Sequence, residues 1–212
     1  MKRLSFILLS ALIAAVSCEN SSSQSGPEMI DLGLSVKWAA CNLNAVRPED
    51  SGSYFSWGDV KGQTWDGSQW SDTGFWDSNV PAYELDDQGN LKPEFDAAHE
   101  ILGGSWRMPT KAEIQELIDN CSCTRTDDYN GTGIAGVIFT SKKEGYTDRS
   151  IFIPAASYGL TTLLQEPESF YGLNWSSSFN EGKAWSLVFD RDNVETYDFD
   201  RIVGMTIRPV SK

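Results

Sequence analysis

The sequence predicts an α+β domain, on three observations. The stretch Gly103–Asn120 (GGSWRMPTKAEIQELIDN) carries a complete helix start. Pro93–Leu102 carries a shorter one just before it. A series of short apolar runs separated by turn residues then follows, the pattern of antiparallel strands.

In chain order, Ile30–Cys41 (IDLGLSVKWAAC) mixes apolar and small residues and reads as the first strand or two. Ser53–Trp57 (SYFSW) alternates around Tyr54, Phe55 and Trp57 and reads as another. Gly58–Asn90 is rich in Gly, Ser, Asp and aromatics with no sustained period, so it reads as a long loop region. Pro93–Leu102 (PEFDAAHEIL) places acidic residues early and ends at Gly103-Gly104. In the main helix, Pro109 keeps Met108 extended and Thr110 serves as N-cap. Glu113, three residues on, closes a capping box, and Ile114, Leu117 and Ile118 form one apolar stripe. Ahead of the cap, Trp106 is an apolar anchor, and Arg107 is a planar cation that needs a carboxylate or carbonyls if buried. Ile134–Ser141, Ser150–Ala156, Asn174–Ser178, Ala184–Asp190 and Val203–Val210 read as strands. A hairpin turn is expected at Asp192-Asn193, before Val194–Phe199.

The chain has 212 residues, 12% aromatic with 8 Trp and 22% charged, enough for one folded domain with a full core. The net charge of −13 repels phosphate backbones and argues against a nucleic-acid partner. It is compatible with divalent cations, yet no calcium motif is recognisable and no cofactor is expected. Lys2-Arg3 followed by the apolar Leu4–Val16 reads as a signal peptide over residues 1–17, too short to remain as a spanning helix. Ala15-Val16-Ser17-Cys18 resembles a bacterial lipobox, with Ala where Leu is usual. Cys18 is therefore the expected lipidation site and the membrane contact. Residues 18–28, polar and rich in Ser, form a flexible tether, and residues 29–212 the domain. An ordinary secreted protein cleaved at a small residue is the alternative.

Several stretches occur in an order that carries a family. They are DLGLSVKWAACN (Asp31–Asn42), YFSWG (Tyr54–Gly58), WRMPTKAE (Trp106–Glu113), IFIPAA (Ile151–Ala156), WSSS (Trp175–Ser178) and GMTIRPV (Gly204–Val210). The chain resembles the Fibrobacter succinogenes major paralogous domain family, common in surface lipoproteins of Bacteroidota. The resemblance covers about residues 29–211. It implies a C-type-lectin-like domain: two helices flanking a small antiparallel sheet, with long loops on one side. It also implies an outer-membrane lipoprotein, facing the cell surface. Formylglycine-generating proteins share that fold but need a reactive cysteine pair late in the domain. No cysteine follows Cys123 here, so that chemistry does not carry over.

Cys41, Cys121 and Cys123 remain in an oxidising compartment, and Cys121 and Cys123 are too close in sequence to pair easily. A Cys41–Cys121 disulfide is expected, with three buried thiols as the alternative. His99 is the sole histidine, and no nucleophile-elbow sequence accompanies it, so it reads as structural. The acidic cluster Asp190–Asn193 with Asp198 and Asp200 lacks the glycine and closing glutamate of an EF-hand. Glu166-Pro167-Glu168 resembles the Glu-Pro-Asn of sugar-binding lectins but ends in Glu, with no Trp-Asn-Asp partner. Both read as solvated turns. The aromatic loop is the remaining candidate surface. Trp65, Trp70, Phe75, Trp76 and Tyr83, set among Asp66, Gln69, Asp72 and Asp77, are what a sugar face or a protein partner needs, with Trp65, Trp70, Trp76 and Tyr83 the expected ligand contacts. Rings pinning the loop to the core would give the same composition. Trp38, Trp57, Trp106, Trp175 and Trp185 fall on strands or the helix start and are assigned to the core. The expected function is a non-enzymatic, lipid-anchored surface module that binds a glycan or a protein. The alternative is a structural or assembly subunit of a surface complex.

Overall fold

The structure, a computed structural model, describes residues 26–66, 69–71, 81–160, 163–165 and 170–212. The signal peptide, Cys18 and the Glu166-Pro167-Glu168 stretch lie outside the described residues. It corrects the α+β, C-type-lectin-like expectation. Two short α-helices, α1 (Ala97–Leu102) and α2 (Lys111–Asn120), accompany a predominantly β chain. Among the described residues no central sheet organises it. There are instead three separate three-stranded antiparallel sheets and a two-stranded ladder. The first joins β1 (Met29–Ile30), β2 (Lys37–Ala39) and β11 (Val210–Ser211). The second joins β3 (Cys121–Thr126), β4 (Gly136–Ser141) and β5 (Ser150–Pro154). The third joins β8 (Gly172–Asn180), β9 (Lys183–Phe189) and β10 (Val194–Asp200), and β6 (Tyr158–Leu160) pairs with β7 (Leu163–Gln165).

The expected α2 start is present in full. Thr110 Oγ1 accepts from the Glu113 N–H at 3.3 Å, and Glu113 returns a carboxylate to the Thr110 N–H at 2.8 Å. Arg107 finds its carboxylate there, forking onto both Glu113 oxygens at 2.8 and 2.5 Å. Burial acts to raise the Glu113 carboxyl, but the Arg107 and Thr110 hydrogen bonds outweigh it and hold it below its ordinary value. The strand β3 was not expected. Asn120 passes directly into Cys121, which is already extended at φ −118°, ψ 151°, and the alternating Thr124 and Thr126 suit a pleat. By contrast, Ser53–Trp57 and Val203–Val210 meet their neighbours largely through isolated bridges rather than regular ladders.

Two apolar clusters fill the interior. One gathers Trp38, Leu117, Val137, Phe139, Ile153 and Phe189; the other gathers Phe55, Trp57, Leu173, Trp175, Val188 and Met205. Strand β9 feeds both, because alternate residues face opposite sides: Leu187 and Phe189 enter the first, Ala184 and Val188 the second. Across the second cluster, Trp57 Nε1 donates to the Ser176 carbonyl at 2.7 Å and Trp175 Nε1 to the Phe55 carbonyl at 2.8 Å. A buried cation ties three segments together. Arg208, with no exposed surface, donates to Asn42 Oδ1 and to the carbonyls of Ala39, Ala40 and Phe152 at 2.6–3.1 Å. Burial pulls its guanidinium down to about 9, so it is still a cation at neutral pH.

The expected Cys41–Cys121 bridge does not form: Cys121 and Cys123 are free thiols, while Cys41 is disulfide-bonded. The reason is placement. Cys121 faces the first cluster beside Leu117 and Val137, opposite Ser141 in register, whereas Cys41 packs with Ala40 in a separate small cluster. Burial pushes the Cys121 thiol up to about 11 and makes it inert at neutral pH.

Candidate functional site

A groove of about 610 Å³ opens where three segments meet: the loop 44–52, Thr64-Trp65, and Thr132–Ile134. That volume suits a small ligand. Each wall is fixed by local chemistry. In the first loop, Asn44 takes a positive φ of 63° and ties Nδ2 to Ser53 Oγ at 3.1 Å. Gly52 is required there, since it has φ +73° and a Cβ on it would lie 2.4 Å from the Leu43 carbonyl oxygen. Asp50 accepts from both the Arg47 N–H and its guanidinium, at 3.0 and 2.9 Å, and Glu49 lies 3.4 Å from the same guanidinium. The Asp50 carboxylate raises the Arg47 guanidinium above its ordinary value.

The indole of Trp65 is half-buried and forms one wall. It stands edge-on to Trp70, ring centroids 5.1 Å apart, and Trp70 in turn stands edge-on to Tyr54 at 5.1 Å. Tyr54 is anchored through its hydroxyl, which donates to the Ala156 carbonyl at 2.5 Å. Burial raises that phenol to about 12, which keeps it neutral. The aromatic ladder Tyr54–Trp70–Trp65 therefore runs from the interior to the groove and fixes the outermost ring in place. A rigid indole face beside carboxylates, a guanidinium and hydroxyls is equipped to stack on a sugar ring and to exchange hydrogen bonds with its hydroxyls.

The expected aromatic surface is thereby divided. Trp65 lines the groove. Trp70 is only 1% exposed and acts as its support, not as a ligand contact. Tyr83 lies elsewhere, stacked on Phe179 at 5.3 Å, edge-on to Trp57, with the Arg201 guanidinium 4.1 Å from its ring. Phe75 and Trp76 lie outside the described residues. Most of the described rings thus pin the loop to the core. Glu49, Asp50 and Arg47 were not singled out from sequence. A charged triplet around Pro48 reads as a solvated turn until the fold brings Trp65 beside it.

The remaining candidates are structural. His99 is half-buried in α1, with Nδ1 3.3 Å from the Trp106 carbonyl oxygen, and its N–H is capped by Asp96. Asp190 closes its own turn, accepting from the N–H groups of Asp192 and Asn193 at 2.7 and 2.6 Å, and those bonds lower its carboxyl. Asp198 accepts from Asn180 and Lys183. Among the described residues, no group of three or more His, Cys, Asp or Glu side chains is placed to hold a metal ion. Comparison with family models, curated proteins and solved structures finds no match.

Proposed function

We propose that the chain is a lipid-anchored surface module that binds a glycan in the Trp65 groove and performs no chemistry on it. The supporting observation is the Tyr54–Trp70–Trp65 ladder, which holds a half-buried indole against a groove edged by charged and hydroxyl groups. Such preorganisation lowers the ordering cost of binding. The two acids in the groove both pair with one arginine, which favours a recognition role over acid–base work. Anchoring through Cys18 and an outer-membrane, outward-facing position rest on the leader sequence and on the resemblance to the major paralogous domain family.

The test is a glycan array probed with the purified protein and with Trp65→Ala. The expected result is retention of a defined set of glycans that the variant loses. Equal retention by both proteins, or turnover of a retained glycan, overturns the reading. Val46 and Ile134, 59% and 39% exposed at the groove rim, give a specific reason to test the assembly alternative. A stoichiometric protein partner pulled down from solubilised membranes, with no glycan retained, establishes that alternative instead.

A further inference from the structure

A second groove, about 530 Å³, lies between the turn Gln88–Asn90, the first turn of α2 and the β8–β9 sheet. Its walls are firmly set. Asp86 Oδ1 accepts from the N–H groups of Gln88 and Asn90, both at 2.9 Å, and Phe179 N–H donates to the Gly89 carbonyl at 2.9 Å. Trp185 shares the β9 face of Leu187 and Phe189 but sits beyond the core, half-buried, at the groove. Directly over its ring, 3.1 Å from the centroid, lies the Lys111 ammonium. Among the described residues Lys111 has no carboxylate within ion-pair distance. Its position in the first turn of α2 also sets its charge against the helix dipole, so it does not serve the helix. The amides around it keep spare capacity. Asn90 Oδ1 accepts from Ser178 Oγ at 2.7 Å, leaving its amino group available, and Gln115 Nε2 donates to Asp119 at 2.9 Å, leaving its oxygen available.

We propose that this groove is a second binding site, for an acidic saccharide. Its carboxylate pairs with the Lys111 ammonium, its hydroxyls bond the amides of Gln88, Asn90 and Gln115, and its ring packs on Phe179 and the rim of Trp185. The inference is independent of the Trp65 groove. The test is calorimetric titration of the full-length protein with trigalacturonic acid and with its fully methyl-esterified form, which keeps the sugar chain and removes the charge. Trigalacturonate is expected to bind about tenfold or more tightly than the ester, and Lys111→Met to remove that preference. The variant keeps the aliphatic stem over Trp185, so its fold is retained. Trp65→Ala is expected to bind trigalacturonate as the unaltered protein does. Equal affinity for acid and ester, no binding of either, or an unchanged preference in Lys111→Met overturns the proposal. So does equal binding of a triglutamate peptide, which would show that the groove reads charge without sugar, and so does loss of binding in Trp65→Ala.

Discussion

Gly159→Ala tests whether the aromatic ladder holds the Trp65 groove in shape. Gly159 lies in β6 and exchanges hydrogen bonds with Gly204 at 2.8 and 2.7 Å, so its backbone is fixed. The space a side chain would fill is taken by Trp70. A Cβ at Gly159 would lie 2.4 Å from Trp70 Cζ2 and 2.7 Å from Cη2, far inside the roughly 3.5–4.0 Å of carbon contact. The indole is 1% exposed and wedged between Tyr54 and Trp65, so it has no free direction in which to yield. Overpacking of this kind costs about 1–3 kcal/mol. Alanine recovers about 0.4–1 kcal/mol by restricting the unfolded chain, which leaves a net loss of up to about 2.6 kcal/mol, centred on about 1.3 kcal/mol. Urea unfolding followed by tryptophan fluorescence measures the loss. Near-UV circular dichroism reports the displaced rings, and the glycan array should show weakened retention although no groove residue has changed. A variant as stable as the unaltered protein, with an unchanged near-UV spectrum, refutes the ladder as the support of the site.

Arg208→Met keeps the aliphatic stem but strands the acceptors Asn42 Oδ1, Ala39 O, Ala40 O and Phe152 O in the interior. Removing one side of such a buried network is expected to cost about 3–5 kcal/mol in urea unfolding, and Arg208→Lys less, because an ammonium reaches fewer of the same oxygens. Thiol counting in denaturant tests the cysteine pairing. Cys121 and Cys123 are free thiols, while Cys41 is disulfide-bonded. Without reductant the denatured protein is expected to react at Cys121 and Cys123 and not at Cys41, and a reactive Cys41 thiol refutes that pairing.

The start of α2 was legible in the sequence down to its hydrogen bonds, because Pro109, Thr110 and Glu113 act on one another within a single turn. The hairpin between β9 and β10 was legible for the same reason, since Asp190, Asp192 and Asn193 close it locally. The strand β3 was not, because Cys121–Thr126 has few apolar residues and is held by its register against β4, the next strand, rather than by a pattern of its own. The groove followed the same division. Composition marked the loop aromatics as one class, and local sequence cannot separate Trp65, on the groove wall, from Trp70 behind it. Trp185 was assigned to the core by its strand, and only its position past the end of the packed face, under Lys111, places it at a groove.

The start of α2 and the turn before β10 are each written in residues a few positions apart and can be read locally. Tertiary structure alone decided that the domain is built from several small sheets, which thiols stay free, and which rings face solvent. Those outcomes depend on contacts between residues more than a hundred positions apart, such as Tyr54 with Ala156 and Arg208 with Asn42. Chain closure over such distances is selected by the packing of the whole domain rather than by any local pattern.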